Sequence, residues 1–379
     1  MFYEQVKNID FQEVSSRIID ATVEEDKLFS ILSKAERLER LNSDDLVSLL
    51  SPVAWKEHKS AIKQAAHNVT VQRHGKTMRF YAPLYVSNEC TNRCIYCGFN
   101  QGNNIKRVTL DKDAVVKEAL AIKELGIEHL LIVAGECPKA VGLDYLSSVS
   151  ELLSGMFSSI SIEVAPMEEL GYKELFKNGV DGVICYQETY FPKVYKECHV
   201  LGPKTNMEVR LNALDRAGSA GMRYLGLGAL LGLCDFRTEA FFLATHARYL
   251  EKKYWRSSIS VSFPRIRPSE SGFNPPTPVG DDDLLQMISA LRLFLPDSNL
   301  LLSTRENADL RDEAIFYGIN QMSGGSKTNP LGYTGASSGN GAQFNISDQR
   351  TPKEIAQKLS SLGYDPVFKD WDRGFRSDN

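Results

Sequence analysis

Three of the seven cysteines fall within eight residues, as Cys90-Thr-Asn-Arg-Cys94-Ile-Tyr-Cys97, directly after an apolar run. Three thiolates on one tight loop can hold three irons of a cubane cluster, for which cysteine is the usual ligand. The fourth iron then stays open to a small molecule that presents an amine and a carboxylate. Zinc is the competing reading. A structural zinc site takes four closed ligands at shorter, paired spacings. No fourth Cys or His stands near the three, and His129 and His199 read as ordinary packed or surface residues. The spacing and the aromatic Tyr96 favour the cluster over zinc.

The elements that must position this loop begin near residue 80. Apolar runs at 80–86, 129–134, 159–165, 182–186, 223–228, 258–264, 299–304 and 319–323 alternate with amphipathic helical patterns such as DKDAVVKEALAIKELG and DDLLQMISALRLF. Near-continuous apolar strands followed by helices indicate parallel strands covered on both faces. Eight such units fit a (β/α)8 TIM-type barrel, and a doubly wound open sheet is the alternative. Residues 1–79 read as an N-terminal helical extension, and residues 80–379 as the barrel with a C-terminal tail. Asp44 and Asp45 suit a helix start. The low-complexity segment 323–343 reads as a surface loop or a mobile lid.

In a barrel, chemistry sits at the C-terminal ends of the strands. Polar residues collect there: Gly135-Glu136, Glu163, the run Tyr186 to Tyr190, Arg265 and Arg267, Arg305-Glu306, and Ser323. Arg210 lies in the segment before the fifth strand, which ends Gly226-Leu-Gly228. Charges are rarely buried without a partner or a function.

Bulk properties exclude other classes. The chain has 379 residues with a formal charge of −4 and acids and bases scattered along it, so there is no nucleic-acid footprint. An odd cysteine count with an acidic N-terminus argues against a signal peptide and a disulfide framework. The longest apolar stretch, Leu225 to Cys234, is half a membrane span. These features predict a soluble, cytoplasmic protein.

The motif CxxxCxΦC, with Φ aromatic, resembles that of the radical S-adenosylmethionine (SAM) superfamily. That resemblance implies a [4Fe–4S] cluster on Cys90, Cys94 and Cys97, and reductive cleavage of SAM to a 5′-deoxyadenosyl radical. It also places Gly135 and Glu136 at the aminoacyl group of SAM, Glu163 at the ribose and Arg210 at the carboxylate. Tyr96 and the backbone of Gly226 and Gly228 would border the adenine. Arg305 remains for a bidentate pair with the carboxylate of an amino-acid substrate.

Over most of the chain the segments LYVSNECTNRCIYCGFN, GVICYQETY, LGLGALLGL, SVSFPRIRP, LLSTRE and PVFKDWD are similar to the 2-iminoacetate synthase family. The resemblance implies cleavage of the Cα–Cβ bond of L-tyrosine to 2-iminoacetate and p-cresol for thiamine synthesis. Thiazole synthase would take the imine, and a flavodoxin or ferredoxin would donate electrons. Tyr85 and Ser323 would lie near the amino and carboxyl groups of tyrosine. Cys137 reads as a small buried hydrophobe.

Related readings differ by residue. The hydrogenase-maturation tyrosine lyase carries further C-terminal cysteines, and here none follows Cys234. A tryptophan lyase shares the barrel and the arginine, but YQETY, FPRIRP and KDWD lean to tyrosine. A zinc-stabilised barrel hydrolase would use the three cysteines as structural or catalytic groups and need no SAM, and a degenerate scaffold would not need the cluster loop and the SAM-type carboxylates together.

Overall fold

The computed structural model of the protein describes residues 1–335 and 341–371. Part of the low-complexity segment (336–340) and part of the expected tail (372–379) lie outside the described residues.

Eight parallel strands close on themselves: β1 (Thr77–Ser87), β2 (His129–Ala134), β3 (Ser159–Glu163), β4 (Gly182–Glu188), β5 (Tyr224–Ala229), β6 (Ser258–Ser262), β7 (Asn299–Leu302) and β8 (Gln321–Ser323). β1 pairs with β2, with Tyr85 opposite Val133, and with β8, with Tyr81 opposite Ser323. That double pairing makes the sheet a barrel and removes the open-sheet alternative. Every residue of β2 and β7 is buried, as expected for strands covered on both faces.

Local chemistry sets where the outer helices start. Asp111 accepts from the Ala114 amide to open the helix Lys112–Glu124, and Asp235 accepts from Thr238 to open Phe236–Lys253. Thr351 and Glu354 form a reciprocal capping box on Pro352–Ser361. After that helix a short strand, β9 (Asp365–Val367), adds to β1 with Thr77 opposite Asp365.

The N-terminal residues form five helices: Phe2–Val6, Phe11–Ile19, Glu25–Glu36, Ser43–Leu50 and Pro52–His74. The chain restarts between these helices at local caps. Asn42 and Asp45 make a capping box on Ser43–Leu50, and Ser51 followed by Pro52 restarts the chain as Pro52–His74. These helices share one continuous apolar core with the barrel. Gln286, on the outer helix Asp281–Phe294, donates to the carbonyls of Leu49 (3.2 Å) and Ser51 (3.0 Å). Phe2 stacks on His246 with ring centroids 4.1 Å apart.

The base of the barrel is stoppered by the end of the described chain. Asp370 sits 2.6 Å from Arg79 and 2.8 Å from His129, and Arg223 lies over the ring of Trp371. His129 is thus a packed residue, as expected. Among the described residues, no helix is long and apolar enough to cross a membrane.

Candidate active site

At the opposite end, the mouth, the loop after β1 carries Cys90, Cys94 and Cys97. Arg107 staples it, donating to the carbonyls of Asn88 (2.7 Å), Phe99 (2.9 Å) and Asn100 (2.7 Å). Cys94 forms an antiparallel bridge with His199, whose ring bonds the Tyr96 hydroxyl at 2.8 Å. Gly135 presses against the same loop. A Cβ there would stand 2.3 Å from the Glu89 carbonyl, so only glycine allows this approach.

All three thiols are free and line one cavity with Glu136, Glu163, Glu188, Lys204 and Arg210. Burial pushes Cys94 up to about 12 and Cys97 up to about 11, so metal ligation is what would make them thiolates. The Asn92 amide points at the Cys90 sulfur, 3.5 Å away. Among the described residues no three His, Cys, Asp or Glu side chains converge on a single ion. A cubane asks for something different, since each cysteine binds its own iron. An all-thiol donor set with two cations close by therefore fits the anionic cluster.

The charges beside the cysteines form a connected network. Glu136 accepts from Asn92 (2.7 Å) and Arg210 (2.7 Å), and Arg210 also donates to the Tyr186 carbonyl (2.5 Å). Lys204 donates to Glu188 (2.6 Å), and its backbone amide donates to Asn92 (2.9 Å). Burial alone would raise both carboxyls, but Arg210 and Lys204 outweigh it and hold Glu136 and Glu188 below the usual range. Glu188 takes a left-handed backbone (φ 72°) at a bulge that ends β4. Such strain in a non-glycine residue belongs to sites where the surroundings fix it.

Glu163, at the end of β3, behaves oppositely. Burial, then the neighbouring Glu188 charge, push its carboxyl up to about 7 against the pull of Arg305. It borders three connected spaces: one facing the cysteines, one with Tyr96 and Lys204, and one with Tyr85 and Ser323. Arg305 borders the last two and has no carboxylate partner among the described residues. Its guanidinium lies 3.3 Å from the ring centre of Phe344.

The Ser323–Gln343 segment is neither a plain surface loop nor a free lid where it is described. Ser323, Ser326 and Thr328 are buried, the Gln343 amide donates to the Thr328 carbonyl (2.9 Å), and Thr328 donates to the Phe344 carbonyl (2.8 Å). The polar composition is carried inside by these bonds. Gln343 also reaches the cluster loop, where its carbonyl accepts from Gly98 at 3.2 Å.

The fold thus gathers the three cysteines with Tyr85, Tyr96, Gly135, Glu136, Glu163, Arg210, Arg305 and Ser323 at one end of the barrel. Gly226 and Gly228 stand apart from the cavity surface. A Cβ on Gly226 would meet Ile184 at 2.3 Å, and one on Gly228 would meet Tyr186 at 2.8 Å, so these glycines let both side chains lean inward. Cys137 is half-buried rather than fully buried. Lys204, Gln343, Asn92 and Arg107 escaped the sequence reading. Glu188 was visible there only as one polar residue in a strand-end run.

Residues 84–239 match the Radical SAM superfamily, and residues 262–365 match the Biotin and Thiamin Synthesis associated domain. The chain is 41% identical over 372 residues to 2-iminoacetate synthase of Escherichia coli, covering 98% of this chain and 97% of that one. The Salmonella typhimurium 2-iminoacetate synthase gives the same figures, 41% over 372 residues. The chain belongs to the 2-iminoacetate synthase family of radical SAM enzymes.

A crystal structure of HydG, a maturase of the [FeFe]-hydrogenase, is similar at TM-score 0.88 and 31% identity, covering 95% of this chain and 81% of that chain. HydG from Carboxydothermus hydrogenoformans gives TM-score 0.82 and 35% identity, covering 91% and 80%. Family membership makes the protein a carbon–carbon lyase that uses a [4Fe–4S] cluster and SAM. The zinc hydrolase and scaffold readings fall with it.

Proposed function

We propose that the protein cleaves the Cα–Cβ bond of L-tyrosine to 2-iminoacetate and p-cresol, supplying the imine to thiazole synthase in the cytoplasm. The observation that carries the tyrosine assignment is Arg305, a half-buried guanidinium without an ion pair among the described residues, on the wall of a cavity continuous with the cysteines. A planar fork left open in this way fits a substrate carboxylate. The aromatic and apolar walls beside it, from Tyr81, Tyr85, Leu131 and Tyr186, suit a ring.

Cys90, Cys94 and Cys97 would hold the cluster, with Asn92 donating to the Cys90 sulfur. When bound, the cluster and SAM would supply radical chemistry at the substrate amine through one-electron cleavage of SAM. Glu136, kept ionised by Arg210, would accept from the SAM ammonium beside Gly135. Arg210 would meet the SAM carboxylate, with Lys204 next to it. Glu163 would accept from the ribose hydroxyls. Tyr96 would border the adenine, with the backbone of Gly226 and Gly228 behind Ile184 and Tyr186. Arg305 would fix the tyrosine carboxylate, with Tyr85 and Ser323 close by. A low-potential flavodoxin or ferredoxin would donate the electron.

Anaerobic turnover of reconstituted protein with tyrosine, tryptophan, SAM and dithionite tests the reading. p-Cresol with glyoxylate from the hydrolysed imine is expected from tyrosine, and its loss in Cys90→Ala, Cys94→Ala or Cys97→Ala. Deoxyadenosine with a tryptophan product and no p-cresol would transfer the assignment to a tryptophan lyase.

A further inference from the structure

The reading of the Arg305 cavity as a tyrosine site leaves open what recognises the phenol. The chain leaves β8 through Gly324 and Gly325, and Gly325 adopts φ 62°, a left-handed turn that glycine permits without strain. That turn brings Ser326 back to the cavity wall, where it is 4% exposed. Its Oγ makes no hydrogen bond among the described residues. Two neighbouring hydroxyls are already engaged. Ser323 accepts from the Thr304 amide at 3.1 Å, and Thr328 donates to the Phe344 carbonyl at 2.8 Å.

An unpartnered buried hydroxyl carries a desolvation cost that a ligand can relieve. Placement narrows the ligand group. Arg305 borders both the arm of the cavity that holds Tyr96, Cys97 and Lys204 and the arm that holds Ser326, whereas Ser326 borders only the second. A carboxylate held at the junction, with its amine directed towards the cysteine side, sends the aromatic ring into the arm of Ser326. We propose that Ser326 is a specificity-determining residue whose hydroxyl bonds the phenolic oxygen of tyrosine. This rests on the tyrosine reading of the site.

A site that bonds a substrate hydroxyl discriminates against the analogue lacking it, because its own polar group is then left unpaired. The test uses the full chain, reconstituted with cluster and SAM, and measures binding of L-tyrosine and L-phenylalanine by titration calorimetry without reductant. Ser326→Ala is expected to weaken tyrosine about tenfold and leave phenylalanine unchanged or tighter, so that the preference collapses. Ser326→Thr is expected to retain it. Removing an unpartnered hydroxyl is also expected to leave the Tm unchanged or raised, which a structural role would not allow. Equal weakening of both amino acids, or no change in either, overturns the proposal. Absence of tyrosine binding by the unsubstituted enzyme, with SAM still bound, overturns the tyrosine reading itself.

Discussion

Tyr85 donates its phenolic hydrogen to the side-chain oxygen of Gln343 across 2.7 Å. One bond thereby joins the strand that leads into the cysteine loop to the segment that crosses the barrel mouth. Tyr85 is held in register by edge-to-face packing on Phe99 at 5.9 Å, so Gln343 finds a fixed partner. Gln343 lines the spaces on both the Arg305 side and the cysteine side.

Gln343→Ala removes this tie while leaving the strands intact. Loss of one such bond costs about 1 kcal/mol, or about fivefold in an equilibrium. The tyrosine KM is expected to rise by that order, and more deoxyadenosine should form per p-cresol because the substrate is held less firmly. Product ratios by mass spectrometry check this. An unchanged ratio would mean that the contact has no part in turnover.

Arg305→Lys preserves charge but loses the planar fork. Tyrosine affinity is expected to drop at least tenfold, with SAM affinity within about twofold, since the charges proposed for SAM are those of Arg210 and Lys204. Equal tyrosine affinity in the variant would remove Arg305 from the substrate site.

Glu163 gives a pH dependence. With its carboxyl pushed up to about 7, the group is mostly neutral at acid pH and ionised at alkaline pH. Ribose hydroxyls are held best by the ionised form, so SAM affinity should rise as pH increases through about 7. In Glu163→Gln the step should vanish, with affinity about tenfold lower on the alkaline side. A flat SAM affinity across pH 6–8 in the unsubstituted enzyme would place the ribose elsewhere.

The barrel was legible because its strands are covered on both faces and read as apolar runs; β2 begins and ends at the residues the pattern indicates. β9 was not legible, since Asp365-Pro-Val is too short for any period and its proline is tolerated only at an edge. The N-terminal helices showed their periodicity, but the break at Ser51-Pro52 is a capping event within an unbroken apolar pattern. In the site, cysteines and strand-end carboxylates announce themselves by type and place. Lys204 does not, because it lies in the one-turn helix Pro203–Thr205, 16 residues past Glu188 in the chain, and acquires meaning only by meeting that residue. Gln343 sits in a segment whose composition resembles solvent-exposed chain, and its bonds to Tyr85, Gly98 and Thr328 appear only in the fold.

The stopper at the barrel base, Asp370 between Arg79 and His129, has a consequence for traffic. These ion pairs pin the chain across the base, while the cavities beside Arg305 lie at the other end, next to Gln343 and Phe344. A product formed beside Arg305 would meet the chain around Gln343 and Phe344 on its way to solvent.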